Sequence, residues 1–331
     1  MQNKSGKRFP LIIFAFVILF TTSCKKDEEE VKPSGRRISR IDVYYNKEHV
    51  DKTLINYKNN KVTEMRSYRI DNGEEYYREL ISYPAPDQIH ILNESNIEQR
   101  GWEKIREIDI FRENEMTSSI ETRKFENGML ESAEKEEYFY SGDKMMQYHL
   151  SNRDIENSVW KPYFKEECTY ENNLLQQSNY FFYDENDSLD YYGRSICEYI
   201  NDGKLYTCSM QYKATYNYHY MYRIRLIYNE RDKVEKSYLE LPQNNWGKIQ
   251  YWYSFEYNEE GKLSKRQYYD TDDDILIEYK LKREEGTGNM NDIMRTGEIA
   301  LSTYWWPSID HTGEGTLFPS ALLYKHLELH E

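Results

Sequence analysis

From Tyr216 to Tyr228 the chain alternates. Tyr216, Tyr218, Tyr220, Tyr222, Ile224, Leu226 and Tyr228 fall on one side, with Asn217, His219, Arg223 and Arg225 on the other. A period of two is that of a β-strand, so the rings are expected to share one face of a sheet. Tyr251, Tyr253, Phe255 and Tyr257 repeat the pattern, as do Ile275, Ile277, Tyr279 and Leu281.

The strands are set out by a repeat. An aromatic residue, a short polar turn and an aliphatic residue recur as Tyr257 to Leu263, Tyr228 to Val234, Tyr199 to Leu205 and Tyr170 to Leu175, with weaker copies starting at Tyr140, Phe111, Tyr83 and Tyr57. Successive marks are 29, 29, 29, 30, 29, 28 and 26 residues apart. Second turns lie between them, at Asp71-Asn72-Gly73, Glu126-Asn127-Gly128 and around Asp187, so each unit holds two strands and is a β-hairpin. Placing Tyr257 opposite Leu263 leaves Glu259-Glu260-Gly261 as a three-residue loop, in which Gly261 takes a positive φ. Strands joined by short turns are antiparallel. The expected fold is therefore all-β, a long antiparallel up-and-down meander of roughly 16 to 20 strands, closed or nearly closed into a barrel that hides its edges. Side chains alone do not fill so wide a barrel, which must flatten, take in loops or enclose water; a cavity would be a candidate site.

Composition changes the kind of core expected. Only 38% of the sequence is hydrophobic, and Tyr is present 33 times against 8 Pro and 15 Gly. Tyrosine packs its ring on a pleated surface while its hydroxyl stays wet, which favours strands with one partly hydrated face. A lipid-facing barrel is disfavoured, because Lys236, Lys265 and Gln267 interrupt the aromatic faces.

The first residues carry an address rather than a fold. Lys4, Lys7 and Arg8 precede an apolar run from Leu11 to Phe20, and Thr21-Thr22-Ser23 lead to Cys24. The run is too short for a bilayer core, which takes about 20 helical residues, and reads as a secretory signal. Cys24 at this place resembles the acylated cysteine of a lipobox, although Thr21 stands where Leu is usual; several acyl chains hold far better than one. Lys25-Lys26-Asp27-Glu28-Glu29-Glu30 is a solvated, flexible tether. The organisation is then 1–23 signal peptide, 24–35 lipidated cysteine and acidic tether, 36–283 hairpin repeats, and 284–331 a non-repeat segment that closes the same domain. Loss of three basic residues with the signal takes the net charge from -14 to -17. Lys and Arg are interspersed with Asp and Glu, so no basic patch for nucleic acid is expected.

The Tyr-turn-Gly-Lys-Leu units, together with the signal and acidic tether, resemble Bacteroidetes lipoproteins grouped as a domain of unknown function with a porin-like fold, over about residues 36 to 283. The resemblance implies a porin-like barrel and, through the acidic tract, export to the outer face of the outer membrane; it implies no activity. The tyrosine-aspartate repeats of bacterial wall-associated and toxin-shell proteins fit less well, since their units are near 20 residues. Asp187-Ser188-Leu189 resembles the O-glycosylation acceptor of that phylum.

Candidate chemistry is sparse. Trp305-Trp306-Pro307 could stack on sugars or anchor a partner, against core packing or barrel closure as the alternative. His326 and His330 have helical metal spacing, with Glu328 or Glu331 as further ligands, but a frayed terminus explains them. Asp270 to Asp274 lacks the glycine and distal glutamate of a calcium loop and reads as a solvated turn. Cys168 and Cys197 hold equivalent places in successive units, about 9.6 Å apart across one strand, too far for a disulfide. A two-residue Asp202-Gly203 turn would set Cys197 opposite Cys208, where a disulfide would join them; Tyr199 opposite Leu205 instead sets Cys197 against Thr207, and three unpaired thiols in packed strands are the expectation. No nucleophile-base or phosphate-binding motif stands out. The expected protein is a lipid-anchored, non-enzymatic module without a cofactor that binds an extracellular glycan or protein. A structural or accessory scaffold at the outer membrane is the alternative, and an enzyme working inside the barrel a third reading.

Overall fold

The computed structural model describes residues 36–96, 101–156, 158–200, 203–243, 246 and 248–288. Eighteen strands run through them: β1 (Arg36–Tyr45), β2 (Glu48–Lys58), β3 (Lys61–Arg69), β4 (Glu75–Ala85), β5 (Gln88–Ser95) and β6 (Glu103–Glu113). Next come β7 (Met116–Glu126), β8 (Met129–Ser141), β9 (Lys144–Asp154), β10 (Val159–Glu171), β11 (Leu174–Tyr183) and β12 (Leu189–Tyr199). The last six are β13 (Leu205–Ala214), β14 (Asn217–Tyr228), β15 (Val234–Leu241), β16 (Lys248–Tyr257), β17 (Leu263–Tyr269) and β18 (Ile275–Glu285). Each strand pairs antiparallel with its neighbours in sequence, and β1 also pairs with β18, Arg36 opposite Glu285 and Tyr45 opposite Ile277. The sheet is a closed up-and-down barrel with no edge, as the hairpin repeat implies.

The repeat makes the two ends of the barrel different. Its aromatic marks sit late in the even-numbered strands from β2 to β16, and the turns that follow them collect at one end, here the near end, where β1 begins and β18 stops. Turns after odd-numbered strands form the far end. The loop after Tyr257 takes its expected form: Tyr257 pairs with Leu263, the Asn258 N–H donates to the Lys262 carbonyl at 2.8 Å, and Gly261 has φ of 76°.

Between adjacent units the near end is tied by tyrosine hydroxyls. Tyr83 donates to the Val62 carbonyl at 2.9 Å, Tyr170 to Met145 at 2.8 Å, Tyr199 to Leu175 at 2.7 Å, Tyr228 to Leu205 at 2.8 Å and Tyr257 to Val234 at 2.8 Å. Each acceptor is the aliphatic residue that closes the preceding unit's turn, and Tyr57 completes the series by donating to Ile38 at 2.7 Å. These six tyrosines therefore turn inward, and their hydroxyls are satisfied by backbone rather than left wet as composition suggested; Phe111 departs from the series, Arg112 taking the register position opposite Thr117 that the tyrosines hold elsewhere. A buried hydroxyl without a partner costs about 1–3 kcal/mol, so the carbonyl is what lets a tyrosine serve in this core.

Both ends also carry bulges. At the near end Thr63, Ser118, Met146, Gln176, Tyr206, Glu235 and Ser264 are the extra residues of odd-numbered strands. At the far end the even-numbered strands are interrupted at Val50, Tyr76, Ile105, Glu131, Tyr163, Tyr192, Met221, Gln250 and Leu276. One extra residue shifts a side-chain alternation by one, so residues beyond it change face. The expectation that Tyr216 to Tyr228 lies on one face is corrected here: the extra Met221 leaves Tyr222, Ile224 and Leu226 inside and puts Tyr218 and Tyr220 outside, opposite Lys213 and Gln211.

At mid-height the inner face is buried. Ile41, Val62, Ile91, Ile108, Ile224 and Leu263 lie in one cluster with Tyr180 and Tyr253. Polar groups lie among them: the Tyr77 hydroxyl donates to Glu79 at 2.8 Å, and the Arg266 guanidinium lies 4.3 Å from the Tyr253 ring centre. Outside, charged pairs ring the wall, including Arg78–Glu94, Arg123–Glu107, Lys165–Glu167, Arg223–Glu240 and Lys280–Glu278. Such a wall does not present the uncharged outward band, about 25 Å tall, of a lipid-facing barrel.

Candidate functional site: an aromatic lip at the far end of β10–β14

Where the far-end bulges of β10, β12 and β14 fall side by side, aromatic side chains spill onto the rim. They form two tiers. The inner one links the bulge residues: Tyr163 lies edge-on to Phe182 with ring centres 5.5 Å apart, Phe182 meets Tyr192 at 5.1 Å, and the Tyr192 hydroxyl donates to Met221 Sδ at 3.8 Å. The outer tier runs from Phe181 to Tyr191, 5.3 Å apart, and on to Tyr218 at 6.3 Å. Arg194 lies 4.0 Å from the Tyr218 ring centre and Lys213 Nζ 5.3 Å from that of Tyr191, so the outer rings are flanked by cations.

Several of these rings are open to solvent, while Phe181, Phe182 and Tyr191 are half-buried. Tyr220 is 48% exposed whereas Tyr222, two residues on, is 7% exposed, which measures what the intervening bulge does. Tyr216, at the tip of the β13–β14 hairpin, is 93% exposed, and Tyr163, Tyr192 and Tyr218 are exposed as well. The tiers are held in place by polar bonds. Tyr218 donates to the Tyr191 hydroxyl at 3.2 Å, Tyr191 in turn to Asn179 Oδ1 at 3.4 Å, and Arg194 Nε to Gln211 Oε1 at 2.8 Å. Burial, and then the bond with Tyr218, push the Tyr191 hydroxyl above its ordinary pKa, so it stays neutral and able to donate. Close approach completes the shape: a side chain on Gly193 would meet the Gln211 carbonyl at 2.2 Å, so only glycine lets β12 lie so close to β13 here. The lip offers flat ring faces, hydroxyls and two flanking cations.

The residues singled out from sequence fare differently. Cys24, Trp305 and Trp306 lie outside the described residues, as do His326, Glu328, His330 and Glu331. Asp270 is a turn cap, its Oδ1 accepting the N–H groups of Asp272 at 2.9 Å and Asp274 at 3.0 Å, in keeping with a hairpin rather than a calcium loop. Among the described residues no three His, Cys, Asp or Glu side chains are grouped to hold a metal. Ser188 of the candidate glycosylation tripeptide sits in the exposed β11–β12 hairpin, its N–H donating to Asp184 Oδ1 at 2.8 Å. Cys168 lies beside Glu166 and Ser178, with β11 between it and Cys197. The expected facing of Cys197 and Thr207 is overturned. The bulge at Tyr206 leaves Tyr199 opposite Leu205 but moves Thr207 to Glu198 and brings Cys208 opposite Cys197.

The lip itself was not singled out from the sequence. The aromatic doublets Tyr163-Phe164 and Tyr191-Tyr192 were its signal, since two adjacent rings cannot share a face of an unbroken strand.

No family model matches the chain, and no curated protein matches it. Solved structures do. A porin-like protein from Bacteroides vulgatus is 11% identical, aligned over 74% of this chain and 97% of its own, with a TM-score of 0.39. A porin-like protein from Bacteroides uniformis is 7% identical over 75% and 96%, at 0.38. The TcdB2-TccC3 complex is 11% identical over 70% of this chain and 15% of that one, at 0.32. The expected resemblance to porin-like Bacteroidetes proteins is met at this coarse level, without a family assignment. All three scores lie below 0.5; the closed barrel rests on this chain's own strand pairing, and nothing is carried over from these structures.

Proposed function

We propose that this chain is a surface-exposed lipoprotein of the outer membrane, held by lipid on Cys24, whose far lip binds an extracellular glycan without catalysis. The observation that carries this reading is the cluster of solvent-open tyrosines on β10, β12 and β14, in a barrel whose inward rings elsewhere are buried or half-buried. Sugar rings stack on exposed aromatic faces and hydrogen-bond to the hydroxyls and cations beside them. The geometry supports the orientation as well. The chain enters the barrel at Arg36 on the near end, and a tether of residues 24–35 reaches at most about 40 Å when fully extended. Anchoring there attaches the barrel by the end opposite the far lip, which leaves the lip accessible from outside.

A glycan array probed with the chain from Lys25 onward tests this. Saturable binding lost in Tyr218→Ala or Tyr192→Ala and kept in Trp305→Ala and Trp306→Ala is the expected result; the reverse pattern would move the site off the lip. Binding only on a parallel panel of extracellular proteins would replace the glycan by a protein partner. Silence on both would leave the scaffold reading, which the wholly buried mid-height interior supports.

A further inference from the structure

Cys197 and Cys208 face each other across β12 and β13 inside the barrel wall, their Sγ atoms 3.2 Å apart and each residue 3% exposed. Three observations single this pair out. Directly opposed residues of antiparallel strands have Cα atoms about 4.5–5.5 Å apart, within the range a disulfide spans. The sulfurs need close by only about 1.2 Å to reach bonding distance, a matter of side-chain torsion. The pairing exists only because of the extra Tyr206, which brings Cys208 rather than Thr207 to Cys197. Cys168 is no competitor, being occupied by Glu166 and Ser178 at 3.6 Å each and separated by β11.

We propose that Cys197 and Cys208 are joined by a disulfide in the mature protein, a staple that fixes the register of the β12–β13 hairpin. The inference rests on export to an oxidising compartment but not on glycan binding. The oxidant is a protein or small-molecule disulfide. One cysteine, as thiolate, attacks a sulfur of that disulfide and expels one thiolate; the other cysteine then attacks the mixed disulfide at the protein sulfur and expels the second. Two electrons pass from the cysteine pair to the oxidant, and the two cysteine protons end on its thiols.

Burial sets the order of events. It pushes the Cys197 thiol well above its ordinary pKa, its contact with Cys208 adding to the effect, so thiolate is scarce once the barrel has closed. Oxidation therefore belongs to the hairpin before closure. The staple spans the bulge, and it denies the hairpin the alternative register in which Cys197 faces Thr207.

The test is a thiol map of the full chain recovered from the cell envelope, alkylated during denaturation and digested without reductant. The expected product is a single linked peptide pair carrying Cys197 and Cys208, two hydrogens lighter than the separate peptides, with Cys168 alkylated. Alkylation of all three, or a link through Cys168, would overturn the proposal. Refolding purified chain with glutathione disulfide separates its two premises. A link formed in the tube but absent from the cell refutes the oxidising address, and no link in either place refutes the geometry. The same map of Cys168→Ser should keep the expected link, since the substitution removes the other buried thiol among the described residues and leaves Cys197 and Cys208 in place.

Discussion

The near end and the far lip use the same residue and the same repeat to opposite effect. At the near end Tyr170, Tyr199, Tyr228 and Tyr257 turn inward and donate to the carbonyl of the preceding unit. On the far lip Tyr192, Tyr218 and Tyr220 stay open to solvent. The difference is one inserted residue per strand. At the near end the bulges lie on odd-numbered strands, across from the inward tyrosines rather than within their strands, and leave the inward set untouched. At the far end they fall within the aromatic run and reverse its facing. A tyrosine is a core residue where a carbonyl waits for its hydroxyl and a surface residue where the alternation has slipped.

The sharpest way to break that contrast is to remove the slip. Inserting one residue between Met210 and Gln211 of β13, opposite Met221, should restore the unbroken alternation of β14, turn Tyr218 and Tyr220 to the inner face, force the buried wall to accommodate them, and abolish any lip binding; lowered stability in urea together with loss of tyrosine exposure checks it. Next in size is the core itself. Tyr180 is 0% exposed and donates to Ser195 at 2.7 Å, so Tyr180→Ala should cost about 3–5 kcal/mol in denaturant unfolding, against less than about 0.5 kcal/mol for Tyr216→Ala. Smaller still is the near-end hydrogen bond. Tyr199→Phe and Tyr228→Phe should each cost about 1 kcal/mol, while Tyr220→Phe on the lip should leave the unfolding midpoint unchanged.

The smallest effect concerns pH. Burial, and then the charge of Lys165, hold the His149 pKa below its ordinary value, so the unfolded chain binds the proton more readily than the folded one. Stability then rises with pH through the window between that lowered value and about 6.5, and falls on acidification into it. His149→Gln should flatten that slope in urea midpoints measured across the window.

How much of this was legible in the sequence follows from what a bulge does to a pattern. The hairpin unit, the antiparallel meander, the loop at Gly261 and a strand number near the observed one all follow from the spacing of tyrosine, turn and aliphatic residue. That spacing is imposed by the tie from one unit's hydroxyl to the last unit's carbonyl, so it survives degeneration of everything between. Facing is another matter. Reading Tyr216 to Tyr228 as one stripe assumes an unbroken period of two, and Met221 breaks it without altering composition or length. The pairing of Cys197 with Thr207 failed for the same reason at Tyr206. The lip was therefore hidden, although the doublet Tyr191-Tyr192 recorded one of its slips. Its cations, Arg194 and Lys213, looked like ordinary outward charges until the rings beside them were placed.

Residue-resolved tyrosine footprinting by brief nitration and peptide mass spectrometry tests the central claim most directly. The account predicts strong modification of Tyr216, Tyr218 and Tyr220, with Tyr222, Tyr180 and Tyr253 protected, so that reactivity changes sharply across Met221. Protection of Tyr218 and Tyr220 to the level of Tyr222 would contradict it, since the stripe would then be continuous and there would be no lip.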